Sequence, residues 1–121
     1  MSIRIDEALG VHARALDLRV QRSEILAANL ANEDTPGFQA RDIDFAGAMR
    51  QLDRGFDSAF FGESPSPQLM YRVPTQPSLD GNTVELSVEQ AEFSRNSMDF
   101  QTSLTFLNMK FRGLKEVIEG R

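Results

Sequence analysis

The chain has 121 residues, 40% of them hydrophobic and 26% charged, which suits one small folded domain and excludes wholesale disorder. Its net charge of -5 argues against a nucleic-acid binder, which would carry a basic patch. No cysteine is present, so there is no disulfide framework and no thiolate chemistry.

Residues from about Ile5 to Asn32 read as one amphipathic helix roughly 40 Å long. Arg, Asp and Glu are mixed through residues 1–30, which fits neither a secretory signal peptide nor a membrane span. A seven-residue repeat aligns Leu9, Leu16, Ser23 and Leu30, with Ala13, Val20 and Ala27 in a second row. Together they predict a seam of mostly small residues that admits a close neighbour helix. Arg14, Asp17, Arg22 and Glu24 fall outside it, and Gly10 weakens the first turns. His12, the only histidine, has no cysteine or second histidine to share a metal with, so it reads as a packing or surface residue.

The helix ends at Ala28-Asn29-Leu30-Ala31-Asn32-Glu33-Asp34-Thr35-Pro36-Gly37-Phe38. Asn32 is a residue type that tolerates a left-handed C-terminal position. Thr35 precedes a proline and is biased to extended angles. Pro36-Gly37 fits the central pair of a type II turn, so a stop and a defined change of direction are expected here. Asn29, Leu30, Ala31 and Asn32, followed by Thr35, Pro36, Gly37 and Phe38, resemble the signature of the bacterial flagellar rod and hook family. Ala40-Arg41-Asp42-Ile43-Asp44-Phe45 and Asp80-Gly81-Asn82-Thr83-Val84 continue that resemblance, which runs on through the last helix and hardly touches the middle.

In the middle, Phe45 to Arg54 predicts a short helix that Phe38, Phe45, Met49, Leu52, Phe56, Phe60 and Phe61 could pack against the long ones. Ser64-Pro65-Ser66-Pro67 and Pro74-Thr75-Gln76-Pro77 break regular structure, with Leu69 to Val73 an extended segment between them. Asp80-Gly81-Asn82 signals a turn and Thr83 to Leu86 alternates as a strand would, so a small hairpin is expected. Asp42, Asp44 and Asp80 lack the further ligands of a calcium loop and read as turn and surface residues. No nucleophile–base pair, phosphate loop or metal spacing appears, so neither an enzyme nor a cofactor is expected.

Ser87-Val88-Glu89-Gln90 has the form of a capping box and opens a helix of roughly 50 Å that Gly120 would stop. Phe93, Phe100, Leu107 and Leu114 form one heptad row; Gln90, Ser97, Leu104, Phe111 and Ile118 form the next. Met98, Phe106, Met109 and Val117 add apolar surface outside this seam, more than one partner helix can cover. The expected fold is mainly α: residues 1–38 form a helix and turn, 39–86 an irregular, β-containing middle, and 87–121 a second helix. The two long helices pair as a coiled-coil-like hairpin within one structural domain. Leu9, Leu16, Val20, Leu30, Phe93, Phe100, Leu104, Leu107, Phe111, Leu114 and Ile118 are the expected assembly seam.

The family resemblance implies a structural subunit of the proximal rod of the flagellar basal body, assembling helically and helping to pass torque from motor ring to hook and filament. It implies export by the flagellar type III apparatus without a cleaved signal. As partners it implies other copies of the chain, other proximal rod proteins (FlgC-like and FlgF-like), the adaptor FliE, and the membrane–supramembrane ring with its export gate. Neither nucleic acid nor a direct lipid anchor is implied. The alternatives are an FlgC-like rod subunit, or a cytoplasmic helical adaptor or export chaperone.

Overall fold

A computed structural model describes residues 5–55 and 68–120, with side chains placed from residue 9 to 51 and from 68 to 120. The elements are α1 (Ile5–Ala31), β1 (Arg41–Ile43), α2 (Phe45–Gly55), β2 (Leu69–Tyr71) and α3 (Leu86–Glu119). The fold is mainly helical, and the two long terminal helices pack against each other. Their contacts run in opposite directions: Asn29 meets Glu89, Arg22 meets Glu92, Arg19 meets Asp99, and His12 meets Lys110. The pair is therefore an antiparallel hairpin. Phe56, Phe60, Phe61 and the Ser64–Pro67 break lie outside the described residues, as does the side chain of Leu52.

Asp44 caps α2 by accepting from the Gly47 N–H at 3.1 Å, the position where a capping carboxylate meets a free helix-start donor. α2 then covers one side of α1, where Leu18, Ile43 and Ala48 form a small core flanked by Ile25, Phe45 and Met49. β1 and β2 pair antiparallel with Arg41 opposite Tyr71, Asp42 opposite Met70, and Ile43 opposite Leu69. Every side chain of β2 is exposed, so apolar packing does little to hold that strand.

Several local expectations are corrected. Asn32 is not left-handed, since the described residues with positive φ are all glycines. Its own side chain satisfies the helix end instead, donating to the Ala28 carbonyl at 2.7 Å. α3 starts before the proposed capping box: its N-cap is Glu85, which makes no side-chain cap bond, so Ser87 is already helical. Glu85 is engaged elsewhere, accepting from the Thr75 N–H and hydroxyl at 2.6 and 2.7 Å. Those bonds from Thr75 hold its carboxyl below the ordinary range.

The hairpin expected at residues 80–86 does not form, and Thr83–Leu86 is not a strand. Its backbone pairs across the molecule instead: the Thr83 N–H donates to the Phe38 carbonyl at 2.9 Å. The α3 stop is as read from the sequence, with Gly120 left-handed at φ 73°.

The motif junction and a candidate assembly surface

The motif turn is built from short-range bonds. The Thr35 N–H donates to Asn32 O at 3.1 Å, and the Phe38 N–H donates to Thr35 O at 3.3 Å across Pro36-Gly37. Gly37 sits at φ 74°, the left-handed position that a type II turn requires at its third residue. Glu33 to Gly37 are all exposed, Phe38 is half-buried, and Ala31 is the exposed last residue of α1. Asn29 is buried, with its amide donating to Arg41 O at 2.6 Å and to Glu89 Oε2 at 3.0 Å; its Oδ1 accepts from the Arg41 N–H. One side chain thus joins α1, β1 and α3.

Asn82, on the approach to α3, completes the junction. It is buried, and its amide nitrogen reaches the carbonyls of Asn32, Glu33 and Thr35 at 3.0, 2.7 and 2.9 Å. Gly37 also donates its N–H to Asp80 O at 2.9 Å, and the Ala40 N–H donates to Thr83 Oγ1 at 2.7 Å. Turn and approach are held together by two stretches about 45 residues apart in sequence.

Between the helices lies a charged and polar interior. Arg22 donates from Nε to Asp42 at 2.9 Å and from Nη2 to Glu92 at 2.8 Å. Arg72 contacts Asp42 at 2.7 Å and brings its Nε to 3.0 Å from Glu89 Oε1, an ion pair without hydrogen-bond alignment. Glu89 is fully buried, one oxygen accepting from the Asn29 amide and the other facing the Arg72 guanidinium. Asn96 is also fully buried and donates to Arg19 O and Ser23 Oγ at 2.9 and 2.7 Å.

Burial raises the pKa of Asp42, but the bonds from Arg22 and the Ile43 N–H, with the charges of Arg22 and Arg72, more than offset this. Its carboxyl ends below the ordinary range.

This interior changes the reading of α1. Arg19, Arg22 and Asn29 of α1 face α3, so Arg22 is an interface residue rather than a solvated one. The heptad rows read from the sequence are divided, Ser23 meeting Asn96 of α3 while other members stay partly or fully exposed. Leu9, Leu16, Ser23 and Leu30 are half-buried; Ala13, Val20 and Ala27 are exposed. On α3, Leu107 is buried, Phe93, Phe100 and Leu114 are half-buried, and Leu104, Phe111 and Ile118 are exposed.

Further exposed apolar groups follow the same helix: Met98, Phe106, Met109 and Val117. An open groove of about 450 Å³ runs along Met98, Thr102, Phe106 and Met109. Phe106 is bordered by His12, ring centroids 5.5 Å apart, and by the Lys110 ammonium at 5.3 Å. Among the described residues no cluster is placed to hold a metal ion, and no helix is long and apolar enough to cross a membrane. Asn82, Glu89 and Asn96 were missed by the sequence reading as organising residues. Of these, Asn82 alone gave a signal, from its place in a turn and in the stretch Asp80–Val84 that carries the family resemblance.

Residues 9–39 match the family described as flagella basal body rod protein. The chain is 45% identical to the flagellar basal body rod protein FlgB of Salmonella typhimurium, over 97% of this chain and 96% of that protein. It is 46% identical to FlgB of Aeromonas hydrophila, over 99% and 98%. To FlgB of Cereibacter sphaeroides it is 43% identical, over 94% and 95%.

Proposed function

The chain belongs to the FlgB family of flagellar basal body rod proteins, and from that premise we propose that it builds the proximal rod by helical association through the outer face of its terminal helices. It is a structural subunit of the basal body rod, not an enzyme. The observation that carries the assembly reading is the apolar surface on the distal half of α3. There Phe111 is 51% exposed, Met109 63%, Val117 76% and Ile118 78%.

A lone hairpin leaves these groups in water. Burying each large one stabilises a contact by about 1.5–3 kcal/mol, and contacts that do not close on a twofold axis propagate as a helix. Leu9, Leu16 and Val20 on α1 extend the face, with Leu104, Leu114 and Ile118 on α3. A tube made in this way would help to carry torque from motor ring to hook. Its neighbours would be other copies, FlgC-like and FlgF-like rod proteins, and FliE near the membrane–supramembrane ring and export gate. It would reach them through the flagellar type III apparatus.

The test is the double substitution Phe111→Ser, Ile118→Ser in the full chain. Both side chains point outward, so helix content should stay at the wild-type level while incorporation into basal bodies falls by about a hundredfold or more, the equivalent of about 3 kcal/mol. Normal incorporation and motility would contradict the proposal.

A further inference from the structure

We propose that Asn82 is a positioning residue for assembly, holding the exposed knuckle Glu33–Gly37 in the one shape in which it meets a neighbouring rod subunit. This rests on the rod reading above. Just past the last residue of α1 the backbone carbonyls lie at the negative end of the helix dipole, and the turn bonds to Asn32 O and Thr35 O use only one lone pair of each. At a surface such carbonyls are ordinarily left to water. Here Asn32, Glu33 and Thr35 turn their carbonyls onto one amide nitrogen at 2.7–3.0 Å.

The other end of that amide is used as well. Asn82 Oδ1 accepts from the Val84 N–H at 2.8 Å, and the Asn82 N–H donates to Asp80 Oδ1 at 3.1 Å. Asn82 is 6% exposed, whereas every residue from Glu33 to Gly37 and from Ser78 to Gly81 is exposed. A buried clasp beneath a wholly exposed turn gains almost nothing in apolar burial. What it fixes is the shape of a surface.

The chemistry is demanding at this position. The side chain offers two N–H donors to three carbonyl oxygens, so one is shared, and accepts one N–H at Oδ1; a carboxylate has no donor to offer. The Gly37 and Gly81 backbones also lie close, since a Cβ on Gly81 would stand 3.8 Å from Gly37 Cα. The clasp therefore joins the stop of α1 to the approach to α3.

The test compares full-length wild type with Asn82→Asp, which keeps the shape but turns an anionic oxygen toward the carbonyls. Amide exchange should show Gly37, Phe38 and Thr83 exchanging at least tenfold faster, while the paired parts of α1 and α3 stay within twofold of wild type. Incorporation into basal bodies should fall at least tenfold. Wild-type incorporation by Asn82→Asp with a loosened turn would overturn the proposal, and so would a turn left unchanged. Failure of wild type itself to incorporate would instead count against the rod reading.

Should the variant unfold, exchange on the wild-type chain decides. The Gly37, Phe38, Thr83 and Val84 amides should open with one common free energy, and separate opening energies would overturn the clasp.

Discussion

Arg72 shows how much a single side chain can hold. It is the cation that Glu89 faces in a fully buried position, and it also bridges to Asp42. Removing one partner of a buried pair leaves an uncompensated charge, which costs about 3–5 kcal/mol. Arg72→Met should therefore lower unfolding free energy by roughly 3 kcal/mol in a urea titration, although it keeps the apolar stem. Asp42 makes the same network acid-sensitive. Its folded pKa lies below its ordinary value of 3.8, so the unfolded chain takes up the proton first as pH falls. The stability it contributes is full above that ordinary value and is lost as pH drops through the lowered folded value. Urea midpoints measured from pH 6 downward should fall more steeply for wild type than for Asp42→Asn, and parallel curves would show that Asp42 is not the sensor.

At the scale of elements, the sequence was most legible where the pattern was local. The extent of α1, the Gly120 stop of α3, the short α2 beginning at Phe45, the extended Leu69–Tyr71 and the turn at Pro36-Gly37 follow from breakers and periodicity, whereas the caps read at Asn32 and Ser87 do not form. Pairing across the chain was not legible. Thr83 alternates like a hairpin strand, yet its N–H bonds to Phe38, and no local signal distinguishes those two outcomes. The face of α1 was misjudged for a related reason. Counting apolar rows selects Leu9, Leu16 and Leu30, but Arg22 and Asn29 can be buried because Glu92, Asp42 and Glu89 arrive from distant segments to satisfy them. Of the apolar rows, Leu9, Leu16 and Leu30 stay half-buried and Ala13, Val20 and Ala27 exposed. The same interior explains why α1 and α3 need not pair as a purely apolar coiled coil: Asn29, Glu89 and Asn96 can fix their register through bonds with a definite geometry.

For the whole molecule, the hairpin divides into two halves. Near the junction it is bound by the Asn29–Glu89, Arg22–Glu92 and Asn96–Ser23 contacts, with β1 and α2 packed alongside. Beyond Phe100, α3 keeps Leu107 buried and the Lys110–His12 contact, and most of its other side chains are exposed. A long helix with one thin line of contacts gains little to set against roughly 1–2 kcal/mol of backbone entropy per residue. The distal half should therefore depend on neighbours for its order, which couples folding to assembly. The direct measurement is amide hydrogen exchange over residues 101–118, on the dilute free chain and on assembled rods. Exchange should be fast in the free chain and at least a hundredfold slower in the rod, with residues 15–29 protected in both. Equal, strong protection of residues 101–118 in the dilute chain would mean that the hairpin is self-sufficient, contradicting assembly through the outer face of α3.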